Sequence, residues 1–107
     1  MNLPAGQPDT YLFLVAPPDL EETIIDLLLE HEDIVPRFIT ASIDTHGTAI
    51  ALASVTERVR GRARRIEFKL LIQRTNVDTL LAAITEQLPR AGISWWLVPV
   101  LAYGRIE

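Results

Sequence analysis

Two periodicities take turns along this chain, and their order predicts its architecture. Tyr11 to Ala16, YLFLVA, is apolar at every position, as in a strand covered on both faces. Pro17 and Pro18 end it. A first-turn proline followed by Asp19, Glu21 and Glu22 suits a helix start, where a missing N–H costs nothing and carboxylates meet the positive end of the helix dipole. Leu20, Ile24, Leu27 and Leu28 then fall at i, i+4, i+7 and i+8, predicting an amphipathic helix to about Glu30. After a polar connection from His31 to Pro36, Arg37 to Asp44 reads as a second strand with Ile39, Ala41 and Ile43 on one face. Thr45, His46, Gly47 and Thr48 break that pattern with turn residues. Ala49 to Val59 is compatible with helix, so residues 45–64 are expected to form a long, partly helical hairpin loop.

The clearest alternation follows: Ile66, Phe68, Leu70 and Ile72 interleave with Glu67, Lys69, Leu71 and Gln73, predicting a third strand with one buried face. Thr75 or Asn76 is placed to cap the next helix, whose apolar stripe is Val77, Leu80, Leu81, Ile84 and Leu88, ending at Pro89 and Gly92. Ile93 to Val100 reads as a final strand, and Pro99 puts it at an edge or a bulge. Met1 to Thr10 has no periodicity and is expected to be a flexible leader, leaving residues 11–107 as one domain. The order strand, helix, strand, strand, helix, strand predicts an α+β, ferredoxin-like βαββαβ fold, an antiparallel sheet with two helices on one face. The other face carries Tyr11, Phe13 and Val15 or their alternates, and one of Trp95 and Trp96. So large an apolar face is expected to be buried between subunits.

Composition narrows the function classes. A chain of 107 residues builds one core. Hydrophobic residues at 49% against 22% charged argue against disorder. No apolar run reaches membrane-spanning length and the N-terminus lacks a signal pattern, so a cytoplasmic location is expected. Without cysteine, thiolate chemistry and disulfides are excluded. The net charge of −4 is unevenly spread, with nine acids and only Arg37 as a base through residue 44. A nucleic-acid binder would present an extended basic face and a high pI, so no nucleic-acid partner is expected at a pI of about 5.1.

Against that background one basic strip stands out: Arg58, Arg60, Arg62, Arg64 and Arg65, half of the ten Lys and Arg residues, with Gly61 among them. Guanidinium forks and a glycine N–H suit a phosphate or carboxylate ligand, which makes Arg58, Arg60, Gly61, Arg62, Arg64 and Arg65 the candidate ligand-binding residues. The competing reading is a solvated hairpin whose arginines pair with the acidic first helix of a neighbour. For a metal ion the candidates are His46 with Asp44, and His31 with Glu32 and Asp33; neither set has the helical i, i+4 or paired-histidine spacing of a strong site. Ser42, Ser54 and Ser94 lack a nucleophile-elbow context, and no phosphate-loop motif occurs. No enzymatic activity is expected.

APPDLEETIIDLLLE, SVTERVRGRARRIEF and ISWWLVPVLAYGRIE, with Glu57, Val59, Gly61, Arg62, Arg65 and the Trp96 to Gly104 ending as their most specific parts, resemble an uncharacterised PII-like family. That family is related to nitrogen-regulatory PII and CutA-type proteins and is often encoded beside heavy-metal efflux pumps. The resemblance spans about Tyr11 to Glu107. It implies a homotrimeric signalling or regulatory protein that binds a small anion, nucleotide or metal ion in inter-subunit clefts near the loop between strands two and three. Nothing matches the longer tyrosine-bearing loop of nitrogen-regulatory PII proteins, so uridylylation and the nucleotide and 2-oxoglutarate response of those proteins are not implied. The alternative is a non-catalytic module that docks an acidic partner or a membrane transporter through the basic loop.

Overall fold

The alternating positions of YLFLVA and RIEFKLLI pair directly in the computed structural model, which describes residues 6–47 and 54–107, with the backbone alone at 58–60. The elements are β1 (Thr10–Ala16), α1 (Glu21–Glu30), β2 (Phe38–His46), α2 (Val55–Arg60), β3 (Arg62–Ile72), α3 (Val77–Gln87) and β4 (Ser94–Pro99). The strands form one antiparallel sheet in the order β2-β3-β1-β4. This is the ferredoxin-like order, with α2 as an extra turn of helix inside the β2–β3 hairpin. Leu12, Leu14 and Ala16 of β1 and Ile66, Phe68, Leu70 and Ile72 of β3 share one face and bury against Ile24, Leu27 and Leu28 of α1 and Val77, Leu80 and Ile84 of α3. Phe68 lies fully buried in this core, with the Phe38 ring tilted against it at 6.4 Å.

Element boundaries differ from the periodicity in instructive places. A 3-10 turn at Pro18–Leu20 precedes α1, and a second at Arg74–Asn76 precedes α3. Asn76 occupies the N-cap position of α3 but makes no side-chain cap bond, nor does Thr75. The 3-10 turn feeds straight into the helix, and the Val77 N–H bonds the Arg74 carbonyl instead. Residues 6–10, assigned to the leader by their lack of periodicity, are held at the end of the sheet in line with the inner strand β1. Thr10 is already paired in β1, the Asp9 N–H bonds the Ile72 carbonyl, and Gln73 Nε2 donates to the Gly6 carbonyl at 3.0 Å. Pro99 pairs with Thr10 at the end of β4, an edge strand, where its missing N–H costs no ladder bond.

Candidate functional site

The sequence places a loop ahead of Ile66; the structure makes it a strand. β2 continues to His46, and β3 begins at Arg62, paired with His46, so Arg62, Arg64 and Arg65 stand in the sheet. Ala63 and the arginines hide the alternation, because burial at this end is decided by what the hairpin folds over rather than by side-chain hydropathy. The Thr45 hydroxyl donates to the Ala63 carbonyl at 3.2 Å, and the Gly47 N–H bonds the Gly61 carbonyl at 2.8 Å. Gly61 makes the turn out of α2 with φ of 62°, a conformation that disfavours other residues. Arg58 and Arg60 lie in α2, and their side chains are outside the described residues.

The pleat then divides the arginines. Arg62 and Arg64 are exposed on one face, beside their cross-strand neighbours His46 and Asp44, and Arg62 Nη2 donates to Asp44 Oδ2 at 2.7 Å. Arg65 points the other way and is only 6% exposed, contrary to the exposed anion clamp expected of the whole strip. Its surroundings explain the burial. β1 stops at Ala16, opposite Ile66, so the edge of β3 before Ile66 has no strand beside it there. Side chains complete that edge: Glu57 Oε2 accepts the Arg64 N–H at 3.2 Å and Arg65 Nη1 at 3.5 Å, while Arg65 Nη1 also donates to the Arg64 carbonyl at 2.6 Å.

Glu57 also closes its own helix. Its Oε1 accepts the Ser54 N–H at 3.0 Å, and its own N–H donates to Ser54 Oγ at 3.1 Å, a reciprocal capping box at the start of α2. Ser54-Val55-Thr56-Glu57 is the S-x-x-E signature of that box, a signal of the helix start that is present in the sequence itself. The Ser54 N–H, then the positive charge of Arg65, hold the Glu57 carboxyl below its ordinary pKa. Asp44 is lowered too, first by its hydrogen bond with Arg62.

For a metal ion, β2 puts Asp44 and His46 on one face, two positions apart. The Asp44 carboxylate is engaged by Arg62, and among the described residues no three of His, Asp or Glu converge. His31 turns back on α1, its Nδ1 lying 2.9 Å from the Leu27 carbonyl. The structure thus brings Asp44, His46, Arg62 and Arg64 together on one exposed face and sets Arg65 apart with Glu57.

Opposite the helices, the sheet presents a second surface. Tyr11, Phe13 and Val15 of β1 lie beside Trp96 and Val98 of β4, with Ile39, Ala41 and Ile43 of β2 across the sheet. The Phe13 and Trp96 rings stack at 5.4 Å, and Tyr11 tilts against Phe13 at 4.8 Å. Trp96 and Val98 remain more than 40% exposed and Ile39 55%. On this side β3 carries Arg65, opposite Ile43, and the Glu67–Lys69 pair, at 3.4 Å, which interrupt its apolar character. Among the described residues no helix is long and apolar enough to cross a membrane.

Residues 7–107 match the model of a protein family described as protein of unknown function (DUF3240). A DUF3240 family protein from Shewanella baltica OS155 shares the fold with a TM-score of 0.76 at 18% identity, over 94% of this chain and 98% of that one. CPII, a nitrogen regulatory PII-like protein from Thiomonas intermedia K12 whose structure holds ADP, AMP and bicarbonate, aligns with a TM-score of 0.68 at 14% identity, over 92% of this chain and 97% of that one. A functionally unknown protein from Pediococcus pentosaceus ATCC 25745 aligns with a TM-score of 0.67 at 13% identity, over 94% and 100% of the two chains. No curated protein matches the chain.

Proposed function

The chain belongs to the DUF3240 family and has the fold of PII-like proteins, and from that premise we propose that it is a small homotrimeric regulatory or sensor protein without catalytic activity. Its three copies bury the apolar sheet face, and a small anionic ligand binds in the inter-subunit clefts beside the β2–β3 hairpin. The observation that carries this reading is the division of the hairpin: Glu57 and Arg65 build it, whereas Arg62 and Arg64 stay exposed at its surface. On this firmly built strand the exposed Arg64 guanidinium engages an oxyanion in bidentate fashion, joined by Arg62 as the oxyanion takes the place of its exposed Asp44 partner. In the cell the signal passes from the cytoplasm to a membrane transporter of the heavy-metal efflux class, through a change in hairpin conformation on ligand binding.

A thermal-shift screen against nucleotides, bicarbonate and divalent metal ions tests it. A ligand present at about 100 times its Kd stabilises the native state by about 2.7 kcal/mol, an easily measured rise in melting temperature. No shift with any of these ligands, together with salt-sensitive binding of an acidic partner, sinks the sensor reading. It favours the second one, in which the exposed Arg62 and Arg64 are a constitutive docking surface for that partner.

A further inference from the structure

At the end of the sheet away from the hairpin, a cleft of about 390 Å³ opens where the α1–β2 connection, the end of β3 and the C-terminal tail meet. Apolar Ile34, Leu71 and Ile72 line it together with polar residues. That volume and that mixture are those of small-molecule sites. Two arginines distant in the chain line the cleft, Arg37 just ahead of β2 and Arg105 in the tail, and among the described residues Asp33 is the one acidic residue lining it. The local balance is therefore positive on a protein whose net charge is −4.

Neither arginine is committed elsewhere. Among the described residues Arg37 has no ion-pair partner. Arg105 reaches only Glu107, at 3.7 Å, with both side chains more than 70% exposed, a pairing of the kind that contributes little. The half-buried Tyr103 lines the same cleft and supplies an aromatic ring, and Asn76, whose side chain makes no cap bond, lines it too.

We propose that this cleft is a second ligand site, distinct from the hairpin, for a small molecule that joins a carboxylate or phosphate to a planar ring. Arg37 and Arg105 hold the oxyanion, Tyr103 covers the ring, and Asn76 and Asp33 hydrogen-bond the ring substituents. From Arg64 to the cleft residue Ile72 runs roughly 26 Å of extended strand, more than twice the screening length at 0.1 M salt, so the two sites are electrically separate.

The two ligand sources are told apart by titrating the ¹⁵N-labelled full chain with AMP, benzoate and inorganic phosphate. Saturable amide shifts at Arg37, Gln73, Asn76 and Tyr103 are expected with AMP or with benzoate, and whichever binds more tightly names the phosphate or the carboxylate class. Phosphate alone, lacking a ring, should bind at least about tenfold more weakly, a loss of about 1.4 kcal/mol. Arg37→Gln and Arg105→Gln should each weaken binding about tenfold or more. Arg62→Ala should leave it unchanged. Both cleft arginines are exposed, so the variants should melt as the natural chain does. The proposal is overturned if no probe gives saturable shifts in the cleft, if the shifts gather at Arg62 and Arg64 instead, or if the two cleft variants bind as tightly as the natural chain.

Discussion

At Glu57 one carboxylate accepts the N–H groups of Ser54 and Arg64 and the guanidinium of Arg65, so its charge serves a helix start, a strand edge and a buried cation together. Its folded-state pKa is depressed, which sets the sign of the pH dependence. The stabilisation is fully present above the ordinary carboxyl value of 4.5 and is lost as pH falls through the lower folded value. Asp44, lowered by Arg62, acts in the same direction from its ordinary 3.8. Glu57→Gln should therefore lower the melting temperature at pH 7 and flatten its fall below pH 4.5; an unchanged acid limb would show that the carboxylate contributes nothing to the hairpin. Gly61 is the other residue on which the turn depends. A Cβ there would sit 3.6 Å from the Gly47 carbonyl oxygen, an ordinary contact, so the cost of Gly61→Ala is the positive φ alone, about 1 kcal/mol by chemical denaturation.

Between elements, the pairing of β3 with β2 as far as Arg62 sorts the basic strip by face. Arg62→Ala with Arg64→Ala should abolish ligand or partner binding and leave the melting temperature within about 1 °C, since exposed ion pairs contribute little. Arg65→Ala should do the reverse, lowering the melting temperature by leaving Glu57 and the edge of β3 without their buried partner. If all three variants lose binding and none loses stability, the division of labour drawn from the pleat is wrong. The capping box belongs to this scale too: four residues of local sequence specify where α2 starts, but only its packing on β3 gives Glu57 the backbone and guanidinium partners across the hairpin.

For the whole molecule, the issue is the face opposite the helices. Stacked Phe13 and Trp96, with Tyr11 and Val98 beside them, form the kind of contiguous apolar patch that soluble monomers seldom leave in water, and exposed Ile39 lies across β3 on the same face. Sedimentation equilibrium should return three times the 12.0 kDa chain mass. Phe13→Asp should convert that species to monomer or unfold it, because the new carboxylate would be buried without a partner. A natural chain that sediments as a monomer at micromolar concentration would remove the proposed inter-subunit clefts, while leaving the separate cleft at Arg37 and Arg105 to be judged by its own titration.

The sequence by itself determined the order of the elements and which residues form the core, because periods of 2.0 and 3.6 are local properties that survive without knowledge of neighbours. Ile66, Phe68, Leu70 and Ile72 were legible as one buried face, and Val77, Leu80 and Ile84 as a helix stripe, on hydropathy alone. Tertiary structure decided the rest. A run of arginines has no hydropathic alternation, so whether it is loop or strand depends on whether β2 extends to pair with it. The burial of Arg65 depends on β1 ending at Ala16 and on Glu57 folding over the edge left behind, contacts made between residues far apart in the chain or around a turn. The cleft at Arg37 and Arg105 joins residues separated by most of the sequence, and only the folded sheet brings those two charges to one place.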